Sequence, residues 1–394
     1  MGLNLSLAIP THHTLIKTWQ LLLCGLLFIT GSSYAKTDTL NYKKLVRQRW
    51  HEITTDNFVI VTDLKISEGK HVAKDLENFR SFALKVMQLE PIDEQPPLPV
   101  LAISNLESFE LLTLPPNIGG VFSRGPFEVS AIANVFRYRP GTENENSARQ
   151  ILLHEYIHFL LRHAKNHVDI PSWYEEGIAE YWATFKLVDG VVEVGNSNVI
   201  AYRIFDLYTD SLDEGLINSE RMFTKPIPSL VDSSENGKRA LSNYYARAYF
   251  IVHYLNSHPK LRAAVRQYIE LVNEGESPRD AFKMVFKVSF QDFDLIVQNY
   301  LSKENAMQLR TFSAREGEFK FPPVVSKARK LNKAEKYKIL AEHFWLNGLV
   351  KMGFEDRKKL LEAAIKLNPD VTKLQIYLEV LTTELRDFEW PRQE

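Results

Sequence analysis

Ala148-Arg149-Gln150-Ile151-Leu152-Leu153-His154-Glu155-Tyr156-Ile157-His158-Phe159-Leu160-Leu161-Arg162-His163-Ala164 is apolar around almost the whole helical wheel, yet two histidines and a glutamate stand in its middle. An all-round apolar helix is a buried helix. Leaving such polar groups unsatisfied inside a core costs roughly 1–3 kcal/mol each, more if they are charged. Residues four apart lie one above the other on a helix, so His154 and His158 present their imidazoles to one point, with Glu155 beside them. A metal ion held there satisfies both rings at once.

Working outward, a four-coordinate catalytic metal of the zinc type takes three protein ligands and keeps one position open. Pro171-Ser172 reads as a helix start, and Trp173-Tyr174-Glu175-Glu176-Gly177-Ile178-Ala179-Glu180-Tyr181-Trp182 continues with helical spacing. Of its three carboxylates, Glu176 and Glu180 share a face, whereas Glu175 is turned about a hundred degrees away and is expected in solvent. Glu176 is therefore the expected third ligand. Glu180 is the candidate to accept a hydrogen bond from the outer nitrogen of a ligating ring. His163 and His167 form another pair four apart, but five residues beyond His158 the helix has rotated about 140° off the ligand face.

The two segments together resemble the gluzincins, metallopeptidases whose third zinc ligand is a glutamate on the helix after H-E-x-x-H, and in particular the peptidase-MA-like families of secreted bacterial proteins. The resemblance rests on His154-Glu155-x-x-His158, on Pro171-x-Trp173-x-x-Glu176-Gly177-x-Ala179-Glu180-Tyr181, and more loosely on Asn57–Asp63 and Tyr245-Ala246-Arg247-Ala248. It implies Zn2+ on His154, His158 and Glu176, with Glu155 as general base. It also implies a downstream oxyanion donor, for which Tyr245 is the better match and Tyr244 the other candidate. The spacing from His158 to Glu176 is one residue shorter than in aminopeptidase-N-like enzymes. Their G-x-M-x-N motif is absent, so cleavage within a chain is expected rather than removal of N-terminal residues. The alternatives are a zinc amidase acting on a cell-wall linkage and a peptidase-like binding protein without turnover.

Near the start, Lys17 precedes the uncharged run Leu21–Ile29, and Ser33-Tyr34-Ala35 places small residues where a signal peptidase reads. Residues 1–35 are expected to be a cleaved signal, which implies a secreted or periplasmic protein with no integral membrane span afterwards. The one cysteine, Cys24, lies inside that signal, so stability must come from a core and not from disulfides. A net charge of −1 gives no reason to expect nucleic acid as a partner.

The expected fold is α+β: a zincin-like lobe over residues 36–315, with a small mixed sheet and the active-site helices, then a helical C-terminal region over 316–394, weakly tetratricopeptide-like and available to a protein partner. Asn57–Asp63, Leu98–Ser104, Gly119–Phe122 and Val129–Val135 read as strands, and Ser67–Gln88 as a long helix. In the gluzincins a strand just upstream of the zinc helix is an open edge where a peptide substrate can add, and Val129–Val135 is either that edge or an ordinary interior strand. Phe185–Val194 reads as a hairpin turning at Asp189-Gly190. Asp232–Lys238 reads as a loop near the cleft, and the basic stretch from Lys327 to Lys338 as a linker and solvated helix face, with contact to anionic lipid headgroups as the other reading.

Overall fold

Phe58-Val59-Ile60-Val61-Thr62 and Leu98-Pro99-Val100-Leu101-Ala102-Ile103 are short apolar runs without alternation, the pattern of strands covered on both faces. In the computed structural model of the protein they lie parallel at the centre of a six-stranded sheet. The structure describes residues 42–93, 95–112, 114, 120–124, 129–136, 147–196, 217–229, 232, 234–302, 310–313, 319–346, 350 and 352–384. The expected signal lies outside the described residues.

In chain order come α1 (Tyr42–Arg47), β1 (His51–Thr54), β2 (Phe58–Thr62), α2 (Ile66–Met87), β3 (Leu98–Ile103), α3 (Leu106–Glu110), β4 (Gly120–Arg124), β5 (Val129–Asn134), α4 (Ser147–Arg162) and α5 (Ser172–Ala183). There follow β6 (Lys186–Val188), β7 (Val191–Val194), α6 (Ser219–Thr224), α7 (Glu235–Asn256), α8 (Pro259–Asn273), α9 (Pro278–Phe286) and α10 (Phe290–Ser302). The chain continues with β8 (Arg310–Ser313), β9 (Lys327–Lys330), α11 (Lys333–Leu346), α12 (Phe354–Leu367) and α13 (Thr372–Glu384). The α+β class is as read from the sequence.

The large sheet has the order β4-β5-β3-β2-β1-β9, with β2, β3 and β5 parallel and β4, β1 and β9 added antiparallel. Alternate side chains divide between two cores. Phe58, Ile60, Leu98, Val100, Ala102, Ala131 and Ala133 pack beneath α2, α4 and α5. Val61, Leu101, Ile103 and Ile132 face the other way, against Trp50 of the segment after α1 and Leu340, Phe344, Leu360 and Tyr377 of α11–α13. Each large apolar side chain buried in this way contributes about 1.5–3 kcal/mol.

The expected long helix is α2, whose Val72, Ala73, Leu76, Phe79, Phe82 and Ala83 form its buried stripe. On α4 the fully buried Arg149 pairs with Asp75 of α2 at 2.6 Å and donates to Phe185 O at 2.6 Å, which ties the helix carrying His154 and His158 to its neighbours. The hairpin forms as expected: β6 and β7 pair antiparallel, and Asp189 and Gly190 both take positive φ, the requirement of a type I′ turn. β8 completes that second sheet.

One open alternative is decided and two local readings change. Val129–Asn134 is an interior strand, because β4 folds back antiparallel on it and takes the edge. Residues 235–238 open α7 and are not a loop: the Ser234 hydroxyl caps Gly237 N at 3.0 Å. Lys327–Lys330 is a strand, because its backbone pairs with β1 and tertiary pairing overrides a weak local propensity. Among the described residues no helix is long and apolar enough to cross a membrane.

Candidate metal centre

His154 and His158 stand one turn apart on α4 and Glu176 on α5, which packs across it. Their reactive atoms converge. The two Nε2 atoms are 3.1 Å apart, and Glu176 Oε2 lies 3.2 Å from the first and 3.3 Å from the second. Oε2 is buried and makes no hydrogen bond of proper geometry. Ligands at the 2.0–2.1 Å typical of zinc, on three corners of a tetrahedron, are about 3.3 Å apart. The triangle fits that face, and the three residues could hold a metal ion.

The charges of the cluster act strongly on one another. Burial lowers the His158 pKa, but the charges of Glu176, Glu175 and Glu155 outweigh it and lift it to about 10. Burial raises the Glu176 pKa, yet the two imidazoles hold it far below the usual carboxylate range. Glu155 is pushed up by burial, against the opposing pull of His154 and His158.

The outer ring nitrogens are served differently from the sequence expectation. Glu180 Oε1 lies 3.7 Å from His154 Nδ1, close enough to interact but beyond hydrogen-bond range. Glu175, expected in solvent, accepts from His158 Nδ1 at 2.9 Å and from Arg162 at 2.8 and 3.1 Å. Where α5 packs on α4, both Glu175 and Glu176 reach the histidines, which a single-helix wheel does not show. Gly177 permits that approach of α5 to its other neighbour, α7: a Cβ there would stand 2.4 Å from Ala248 O.

Of the two tyrosines on α7, Tyr245 sets its ring edge-on to His154, centroids 6.0 Å apart. Tyr244 is buried with no hydrogen-bond partner for its hydroxyl, whose pKa is raised by burial and by the charges of Glu176 and Glu175. Both tyrosines therefore border the centre. His163 and His167 take no part, their Nδ1 atoms facing Phe159 O and Leu161 O. Edge strand β4 passes Glu155: a Cβ on Gly120 would meet Ile151 Cγ2 at 2.9 Å and Glu155 Cγ at 3.2 Å. The sequence signal for that closeness was the Gly119-Gly120 pair ahead of a β-branched residue.

No family model matches this chain, and no curated protein matches it.

Proposed function

We propose that the protein is a zinc-dependent metallopeptidase of gluzincin type, secreted or periplasmic, that hydrolyses peptide bonds within a chain. The observation that supports this reading is the triangle of His154, His158 and Glu176 with Glu155 beside it on the same helix. A bound zinc supplies Lewis acidity to a scissile carbonyl and lowers the pKa of water toward about 7.

Glu155 accepts the proton of the attacking water and passes it to the leaving amine; its burial favours that task by raising its pKa toward the working range. Tyr245 donates to the oxygen on which negative charge develops, a contribution of about 2.7–4 kcal/mol for such a donor. An extended substrate adds to β4, the terminal strand of the sheet, which passes close to Glu155 at Gly120.

The test combines elemental analysis with turnover of wild type, Glu155→Ala and His158→Ala on a mixture of proteins and peptidoglycan peptides. One zinc per chain in wild type and Glu155→Ala, with cleavage of protein in wild type alone, supports the peptidase. Cleavage confined to peptidoglycan amide bonds replaces it with a cell-wall amidase, and zinc without turnover replaces it with a binding protein.

A further inference from the structure

The chain as a whole has a net charge of −1, but its charge is unevenly placed. Between Lys43 and Arg49 there are four basic residues and no acid, and between Lys320 and Lys338 seven basic residues and one acid, Glu335. The fold joins these distant segments. β9 pairs with β1 so that Lys330 stands opposite His51, and Leu331 N bonds Trp50 O at 3.0 Å. Lys336 on α11 donates to Val46 O at 3.2 Å and to Gln48 O, at the end of α1.

Some of this charge is absorbed locally. Arg329 is held by Glu52 and Glu335, and Lys336 is spent on the two carbonyls. Burial, and after it the nearby charge of Lys330, pushes the Lys336 pKa down. Arg47, Arg49, Lys330 and Lys333 are exposed and make no ion pair among the described residues. Lysines on an edge strand also discourage strand-to-strand aggregation. That accounts for Lys330, and the negative end of the α1 dipole accounts for Arg47; neither accounts for Lys333, a cation at the positive start of α11.

We infer that this face, formed by the end of α1, β9 and the start of α11, is a docking surface for an anionic phospholipid bilayer. Clustered Lys and Arg attract acidic headgroups without any shaped pocket, and the patch is a surface rather than a cleft. β9 and β4 are opposite edges of the sheet, separated by five strand spacings, about 24 Å. Docking at β9 leaves β4 and the metal centre facing away from the lipid. The inference does not depend on the peptidase reading.

The test is sedimentation of the full chain with vesicles of phosphatidylcholine alone and of phosphatidylcholine with phosphatidylglycerol. Each basic residue at an acidic surface contributes a factor of about five. Binding is expected to be at least about tenfold tighter on the acidic vesicles, and high salt should abolish that preference. Arg47→Gln, Arg49→Gln, Lys330→Gln and Lys333→Gln together should remove it without altering thermal unfolding, while Lys260→Gln, Lys283→Gln and Lys287→Gln should preserve it. Equal binding to both vesicles, an unchanged preference in the fourfold variant, or tighter binding to a soluble polyanion such as heparin than to acidic vesicles of matched charge would overturn the inference.

Discussion

Gly177→Ala puts a methyl group where α7 already lies. The added Cβ would stand 2.4 Å from Ala248 O, 2.6 Å from Val252 Cγ2 and 2.8 Å from Ala248 C. A comfortable carbon–oxygen contact needs about 3.3 Å, so α5 and α7 must part by roughly 0.9 Å, and two of the three obstructing atoms are backbone that cannot rotate away. Overpacking of this kind costs about 1–3 kcal/mol, and the rigid neighbours place this substitution at the upper end.

Glu176 is the adjacent residue, so the same displacement reaches the metal triangle and shifts edges of 3.2 and 3.3 Å by up to about the same 0.9 Å. Misplacement on the order of 1 Å lowers turnover about a hundredfold. The assay is thermal unfolding of the metal-free and zinc-loaded protein together with zinc stoichiometry. Metal-free Gly177→Ala should unfold at lower temperature, and the gain in stability from added zinc should shrink. Wild-type unfolding with one tightly held zinc would refute the claim that the α5–α7 approach positions Glu176.

Glu175→Ala should weaken zinc binding about 10- to 100-fold by freeing the His158 ring, with Glu175→Gln milder because its carbonyl still accepts from Nδ1; competition with a chelator reads this, and unchanged affinity in both would remove Glu175 from the centre. Tyr245→Phe should lower kcat by about 10²–10³ with zinc content and KM little changed, whereas a loss of zinc would show the ring acting on His154 instead. Acid should destabilise the fold through two buried histidines, His253 and His343, whose pKa values burial lowers to about 4 and about 3. A depressed pKa means that the unfolded chain takes the proton first, so this stability is complete above about pH 6.5 and is lost as pH falls toward 4 and 3. The loss is about 2 kcal/mol for each histidine at pH 5. Denaturant unfolding at pH 7.5 and pH 5 should show it, and His343→Leu, which removes a ring whose Nδ1 has no hydrogen-bond partner, should reduce the difference.

Much of the centre was legible because its logic is local. Helical spacing of four residues forces His154 and His158 to one point, and a polar triad inside an apolar helix demands a partner. The hairpin at Asp189-Gly190 and the long helix α2 were equally legible, since turn chemistry and a 3.6-residue stripe act within one element. Glu175 was misread for the same reason in reverse: its placement depends on the angle between two helices, and a wheel drawn for one helix contains no such angle.

The amino-acid order by itself determined the α+β class and the metal-ligand candidates on α4 and α5, because each follows from periodicity or from the cost of burying a polar group; the proposed role of Glu155 came from the family resemblance. Tertiary structure decided which strand forms the edge, since β4 folds back over β5 only through long-range pairing. It decided that Glu175 braces His158, that Gly177 admits a neighbouring backbone, and that basic segments hundreds of residues apart share one face. Each of these depends on where a second element lies, and pairing between distant segments is settled by the whole core, not by the propensity of either segment alone.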